Sequence, residues 1–335
     1  MNFYAGTLTR EGGEGVLVCS LEENRLKKKS VYTEIVDPTY MILSKDRKHL
    51  FAVSSDRQDA AMNGCLVEFE INGKELVKQA VQFTDGIGPC HLTFDAEERY
   101  LYVPNYFTGS LCVFPHGEHI QPMCQLIQLV GKGPHPTRQT GPHPHQATFI
   151  PSTCYLTVCD LGTDELRIYK QDSVSGKLTV HGVTKLHGGP RHVIYGEAGT
   201  LWLVHELSNK VTALKEENNE LVVLQTLPTI PDEYQEKNTA AAIRLSKDGK
   251  QLYVSNRGHG SIAVYDVGVN GTLDFIKWIP AGQFPRDFIV LDDGRFLIAD
   301  QYNGIWLESP DGEVLDFLPE KGAVCICTDQ GDHEE

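Results

Sequence analysis

Residues 89–106 read PCHLTFDAEERYLYVPNY, and this stretch holds the phrase that decides the fold: a prolyl turn, an apolar strand, a tight turn and a second strand. Variants of the phrase begin at five other points, namely Pro38, Pro144, Pro190, Thr239 and Pro285. Successive copies start 46 to 55 residues apart. Such a period is typical of four-stranded propeller blades rather than of solenoid repeats of about 20–35 residues.

The two ends of the chain predict one more unit. NFYAGTL at 2–8 matches the second strand of the phrase but has no first strand before it, and GAVCICT at 322–328 is an extra strand after the last full copy. If the two strands pair, the ring closes and leaves no open sheet edge. We therefore predict an all-β fold, a seven-bladed propeller in which residues 1–335 form a single domain closed by the C-terminal strand.

Composition excludes several classes of function. The net charge of −15 argues against a nucleic-acid partner or an anionic membrane surface, since phosphates are held by clustered lysines and arginines. No apolar run approaches the about 20 residues of a membrane helix, and Met1 leads directly into a strand pattern without a signal peptide. The nine cysteines form no CxxC pair, which favours reduced thiols. A cytoplasmic location is expected.

Superposing the copies indicates where a site lies. In each antiparallel pair, the start of the first strand lies beside the end of the second, at one mouth of the central channel. The residue after the prolyl position is Thr39, Cys90, His145, Arg191, Ala240 or Arg286. The residue ending the second strand is Thr7, Ser55, Asn105, Asp160, Glu206, Asn256 or Gln301, with Arg257 one residue further on. A purely structural position should repeat from blade to blade, and these vary. The gathered arginines predict an anion site in an otherwise acidic protein.

Structural explanations exist for each of these residues taken singly. Arg191 and Glu206 could form a cross-strand ion pair, His145 could be a structural histidine, and Arg257 and Arg286 could hold turns or loops. These structural explanations are weaker for the set as a whole, because all the residues fall at one end of one channel.

Two other chemistries are weighed and set aside. In PHPH (142–145), His143 and His145 project to the same side, but no third ligand follows with recognisable spacing, so no metal is predicted. A nucleophilic serine is not expected without a G-x-S-x-G motif, and Cys159 lies within a strand without an obvious base.

Five phrases carry a family resemblance: GPHPHQATF (141–149), VCDLGTDELRIYK (158–170), GGPRHVIY (188–195), HELSNKVTAL (205–214) and LYVSNRGHGSIAVY (252–265). Over nearly its whole length the chain resembles the seven-bladed lactonase family, which contains propeller-type bacterial 6-phosphogluconolactonases and fungal carboxy-cis,cis-muconate cyclases. The resemblance implies a site without metal or cofactor, made of His145, Arg191, Glu206 and Arg257. The superposed columns select the same four positions.

The implied reaction is opening of a sugar-acid lactone, most simply 6-phosphogluconolactone. Glu206 would be the base or would orient it, His145 would pass the proton, and Arg191 would stabilise the oxyanion. Arg257, with Arg286, would hold the substrate's phosphate or carboxylate. His143, Asp160 and Asn105 complete the expected substrate-binding set.

Three questions stay open from sequence. The same residues could form or rearrange a lactone, as in the muconate cyclases, and a propeller could also be a non-catalytic scaffold. Whether His145 or Glu206 is the base does not follow from the pattern.

The irregular segment 131–142, rich in Pro, Gly and Thr, is predicted to be a functional loop between the third and fourth blades.

Overall fold

The fold is a ring of seven four-stranded antiparallel sheets, as predicted. A computed structural model describes residues 1–54, 64–217 and 220–329. Each repeated phrase forms the two inner strands of a blade, and the two outer strands follow it in sequence. Short 3-10 helices occur at Thr9–Glu11 and Glu197–Gly199.

The strands of the first four blades are given from the channel outward. Blade one contains the last strand of the chain, β28 (Ala323–Thr328), then β1 (Asn2–Thr7), β2 (Val16–Glu22) and β3 (Arg25–Tyr32). Blade two contains β4 (Pro38–Leu43), β5 (His49–Ser54), β6 (Cys65–Asn72) and β7 (Glu75–Phe83). Blade three contains β8 (Thr93–Phe94), β9 (Tyr100–Asn105), β10 (Ser110–Pro115) and β11 (Gln125–Gln128). Blade four contains β12 (Pro144–Phe149), β13 (Tyr155–Asp160), β14 (Glu165–Gln171) and β15 (Leu178–Lys185).

The remaining blades follow the same order. Blade five contains β16 (Pro190–Tyr195), β17 (Thr200–His205), β18 (Lys210–Glu217) and β19 (Glu220–Pro228). Blade six contains β20 (Thr239–Leu245), β21 (Gln251–Arg257), β22 (Ser261–Val267) and β23 (Leu273–Pro280). Blade seven contains β24 (Pro285–Val290), β25 (Phe296–Asp300), β26 (Gly304–Glu308) and β27 (Val314–Pro319).

The ring closes by pairing the two ends of the chain, which confirms the predicted closure. β28 lies antiparallel to β1, with Phe3 opposite Thr328 and Ala5 opposite Ile326. The closing blade then packs on blade seven, where Phe3 shares a buried cluster with Leu297. The first and last blades are thereby joined by both main-chain pairing and apolar contact.

Apolar side chains between adjacent blades form the core. Tyr102 and Val113 of blade three, for example, pack with Ala147, Val158 and Tyr169 of blade four, and all five are at most 2 % exposed. Burying one large apolar side chain contributes about 1.5–3 kcal/mol. Apolar packing between adjacent blades therefore holds the ring together around the channel.

Two further facts bear on function. The nine cysteines all lie within the described residues and are thiols rather than disulfides. In the part of the chain that the structure describes, no helix has the length and apolar character needed to cross a bilayer.

Candidate active site

Bulges in the inner strands aim three of the expected side chains at one channel mouth. In blade four, the pairing register skips His145 between Pro144 and Gln146. Arg191 and Arg286 occupy the same extra position at the start of β16 and β24. An extra residue in one strand disrupts the ladder locally and redirects its side chain. The residue after the prolyl position is therefore left out of the strand pairing in these blades, and its side chain faces the channel mouth.

Glu206 and Arg257 come from the adjoining ends of the second strands. Glu206 is the first residue after β17, and its N–H donates to the Gly189 carbonyl at 2.8 Å. Arg257 ends β21 and pairs with Thr239 at the start of the inner strand. Both side chains consequently face the mouth that the bulges face.

The set of residues expected to end the second strand of each copy, which suggested Asn105 and Asp160, contains residues from two different structural positions. These residues are the last of β9 and β13, and their counterpart in blade five is His205, one residue before Glu206. Side chains at that position point into the blade instead of the channel, and both Asn105 and Asp160 are completely buried. A slip of one residue in a strand reverses the face to which a side chain belongs.

The contacts of these two side chains give them a structural role. Asn105 Nδ2 donates to the Ser110 hydroxyl at 3.0 Å. Asp160 Oδ1 accepts from the main-chain N–H groups of His143 at 2.7 Å and Gly162 at 3.0 Å. The substrate-binding expectation for Asn105 and Asp160 is therefore corrected. Ser55 of the same column lies outside the described residues.

Glu206 is the centre of a buried ion cluster. Its Oε2 accepts from Arg191 Nε at 3.0 Å and from Arg257 Nη2 at 2.9 Å. Its Oε1 accepts from Nη2 of Arg138, which lies in the 131–142 loop. Glu206 and Arg191 are each 3 % exposed and Arg257 is 8 % exposed. Burial alone would raise the pKa of Glu206, but the charges of Arg257, Arg191 and Arg138 hold it well below its usual value.

His145 is a neutral imidazole beside this cluster. It is 7 % exposed, and burial followed by the positive charge of Arg191 holds its pKa well below the usual value. Within the described residues, no group hydrogen-bonds to its Nδ1. Its ring packs edge-on against His192 at a centroid distance of 5.1 Å and against Tyr106 at 5.7 Å. An unprotonated, buried ring of this kind can accept a proton.

His192 and His143 support the site from two sides. Arg191 Nη1 donates to His192 Nε2 at 3.3 Å, which fixes the guanidinium behind Glu206. His143 stacks on Tyr106 at 4.5 Å, and its Nδ1 donates to the Tyr106 carbonyl at 2.7 Å. His143 thus contacts the wall of the site but does not line its cavity.

The side chains enclose a cavity of about 460 Å³. Among the described residues, the cations on its wall are Arg138, Lys237, Arg257 and Arg286, and the carboxylate is that of Glu206. Arg286 donates to Gln301 Oε1 at 3.3 Å, and Gln301 in turn donates to Glu11. The Arg257 guanidinium lies over the ring of Phe284, with 5.6 Å between Arg257 Cζ and the centroid of that ring. The excess of positive charge fits an anionic small molecule.

Sequence reasoning missed Arg138, Tyr106, His192 and Lys237. Arg138 lies in the loop that was predicted to be functional, but nothing in the sequence indicates that its side chain reaches Glu206. Tyr106 occupies in blade three the position of Glu206 in blade five, so a correctly registered column would have found it. No group of three His, Cys, Asp or Glu side chains that could hold a metal occurs among residues 1–54, 64–217 and 220–329.

Comparisons with known proteins agree with this architecture. The family model described as "Lactonase, 7-bladed beta-propeller" matches residues 2–304. The chain belongs to this lactonase family. A curated relative, the 6-phosphogluconolactonase of Bacillus subtilis, is 33 % identical over 306 residues, covering 88 % of this chain and 86 % of the relative.

Two solved structures share the whole ring. The periplasmic gluconolactonase of Pseudomonas aeruginosa superimposes with a TM-score of 0.88 at 26 % identity, covering 97 % of this lactonase-family chain and 98 % of the other. A protein from Lactobacillus plantarum gives a TM-score of 0.87 at 28 % identity, with 97 % and 99 % covered. The names of the relatives indicate a lactone hydrolase acting on a small molecule.

Proposed function

We propose that this chain hydrolyses 6-phosphogluconolactone to 6-phosphogluconate. The observation that carries the proposal is a buried histidine beside an arginine cluster in a cationic cavity. Lactone hydrolysis needs a proton acceptor for water and positive charge where the oxyanion forms, and the cavity holds both. The name of the B. subtilis relative supports the phosphorylated substrate, and the name of the P. aeruginosa neighbour gives the unphosphorylated lactone as the comparison to test.

In the proposed mechanism His145 is the base, and Glu206 orients the arginines. A carboxylate that accepts hydrogen bonds from three guanidinium groups has its lone pairs engaged, so it has little capacity left to take the proton of water. The His145 imidazole lines the cavity, its Nδ1 has no hydrogen-bond partner among the described residues, and its lowered pKa favours the neutral form, in which one ring nitrogen can accept a proton. It would take the proton of the attacking water and return it to the departing ring oxygen.

Arg257 would stabilise the oxyanion, and Arg191, which lies behind Glu206 and does not line the cavity, would hold that carboxylate in place. Both guanidinium groups are fixed before substrate arrives, by Glu206 and by the acceptors His192 Nε2 and the Ala240 carbonyl, the latter 3.1 Å from Arg257 Nη2. Preorganised donors of this kind typically contribute about 10²–10³ in kcat each. Arg257 therefore acts at the carbonyl end in this mechanism, deeper than the anchoring position first expected for it.

Arg286 and His143 have binding and supporting roles in the proposal. Arg286 lines the cavity on the side of blade seven, where it would contact the hydroxyls of a sugar acid. His143 holds Tyr106 in place through stacking and a hydrogen bond. No metal or cofactor takes part.

The reaction would belong to glucose metabolism through the pentose phosphate pathway. A cytoplasmic location is part of the same proposal, and the reduced state of all nine cysteines supports it.

The test uses freshly generated 6-phosphogluconolactone, made in place by oxidation of glucose 6-phosphate. Acid release by the purified chain is followed at pH 7 and compared with the spontaneous rate, in parallel with glucono-δ-lactone. We expect acceleration with both lactones and a higher kcat/KM for the phosphorylated one. Rates equal to the spontaneous rate with both would overturn the proposal, and a preference for glucono-δ-lactone would reassign the substrate.

A further inference from the structure

The loop 131–142 is a built element that presents one arginine to the cavity. Gln139 is 2 % exposed; its Nε2 donates to the Leu161 carbonyl at 2.8 Å and to Asp164 Oδ1 at 2.6 Å. Its Oε1 accepts from the His135 N–H at 2.9 Å. The Arg138 N–H donates to His135 Nδ1 at 3.2 Å. These bonds tie the loop to blade four and fix the backbone from which Arg138 extends.

Arg138 differs from the other two arginines on Glu206 in its exposure. Its side chain is 38 % exposed, against 3 % for Arg191 and 8 % for Arg257. It approaches the carboxylate from the open side and takes Oε1, whereas the two deep arginines share Oε2. Nη2 also donates to the Tyr106 hydroxyl at 3.1 Å. Arg138 is thus the outermost member of the cluster.

The contact between Arg138 and Glu206 can be exchanged at small cost. The two deep arginines already balance the charge of the carboxylate, so a third positive charge exceeds what Glu206 needs. Because 38 % of the Arg138 side chain is exposed, solvent screens this contact more than it screens the contacts of the two deep arginines. A phosphoryl group offers three oxygens to the planar guanidinium and can bind it through two parallel hydrogen bonds.

We propose that Arg138 is the specificity residue that binds the substrate's exocyclic phosphate, exchanging Glu206 Oε1 for phosphoryl oxygens when substrate enters. Lys237 lines the same cavity and is exposed, which adds positive charge to the rim. The lactone carbonyl then lies at Arg257 and the phosphate lies at the mouth. This inference rests on the proposed function, because it presumes a lactone with an anionic substituent.

The test measures binding of the stable products by titration calorimetry, independently of turnover. 6-Phosphogluconate and gluconate are titrated into the parent chain, Arg138→Gln, Arg138→Lys and the control Arg25→Gln, whose arginine is 75 % exposed on outer strand β3. We expect Arg138→Gln to reduce the ratio of the two affinities at least tenfold, since a charge-assisted contact of about 1.5–3 kcal/mol is lost. Arg138→Lys should retain part of the preference, and Arg25→Gln all of it.

The Arg138 variants also lose the contact with Glu206, but this loss changes the affinities for both products alike. It therefore cancels in the ratio of the affinity for 6-phosphogluconate to that for gluconate. An unchanged ratio in Arg138→Gln would overturn the inference, as would a parent chain that does not distinguish the two products. If Arg138 governs the ratio but neither lactone is hydrolysed, the inference stands and the proposed function fails. If the phosphorylated lactone is hydrolysed and the ratio is insensitive to Arg138, the function stands and the inference fails. Circular dichroism spectra equal to the parent's establish that the variants are folded.

Discussion

Replacing Glu206 by glutamine should destabilise the fold and suppress turnover together. The change keeps the shape of the side chain but removes the charge that Arg138, Arg191 and Arg257 surround. Removing one partner of a buried ion pair typically costs about 3–5 kcal/mol, because the other charge stays buried without compensation. Two of the three arginines are almost fully buried here, so we expect a loss of at least about 3 kcal/mol in the free energy of unfolding.

The chain supplies a matched control in Glu308, a second buried glutamate. It is 2 % exposed, burial raises its pKa to about 8, and its Oε2 has no hydrogen-bond partner among the described residues. At pH 6.5 this carboxyl is uncharged, so Glu308→Gln exchanges one neutral group for another and should change stability by less than about 1 kcal/mol. The two variants share the same chemical change and differ only in the charges around it.

The assay is urea unfolding at pH 6.5, followed by far-UV circular dichroism, together with kcat for glucono-δ-lactone. We expect Glu206→Gln to lose stability and about 10²-fold in kcat, since the arginines lose the group that orients them. Glu308→Gln should retain both stability and kcat. Equal unfolding midpoints for the two variants, or parental kcat in Glu206→Gln, would refute the assignment of Glu206 as the organising charge.

Five further outcomes are expected. His145→Ala should lower kcat by about 10²-fold or more with an unchanged unfolding midpoint, and a parental kcat would remove this residue from the mechanism. Because the pKa of His145 is lowered, the ring stays unprotonated and kcat/KM, corrected for spontaneous hydrolysis, should show no acid limb between about pH 6 and 8; an inflection near 6.5 would contradict that. The raised pKa of Glu308 means that the native state holds a proton which the unfolded chain releases, so stability should fall as pH rises from 4.5 to 8, and Glu308→Gln should flatten that slope. Deleting the chain from Gly322 onward removes β28 and should abolish cooperative melting, while exhaustive chelation with EDTA should leave activity intact.

The architecture was predictable because it repeats. Each copy of the phrase places a short turn between two apolar strands, and the period alone indicates four strands per unit. The closure followed from two incomplete units, at 2–8 and at 322–328, which complement each other. Long-range pairing is normally hard to infer from one sequence, but in a ring of repeats the partner of every strand is known from its neighbours.

The site was predictable where its residues share a structural position, and less so elsewhere. His145, Arg191 and Arg286 all occupy the bulge, so alignment to the prolyl residue finds them. Asn105 and Asp160 were included because the strand ends were aligned one residue out of register. Nothing comparable exists for Arg138, since its contact depends on the buried hydrogen bonds of Gln139 and on the shape of a loop that occurs once.

The bulges have a consequence for how such a ring can change its chemistry. A residue that stands outside the main-chain ladder can be exchanged without altering any strand pair, so the main-chain pairing does not restrict which side chain stands there. Blade two carries the same device, with Thr39 skipped between Pro38 and Tyr40, and Thr39 lines the cavity opposite the charged sector. Its hydroxyl makes one hydrogen bond, to the Pro89 carbonyl at 2.9 Å. New substrate preferences can therefore arise in this family through single substitutions at a position where the backbone imposes no penalty on side-chain identity.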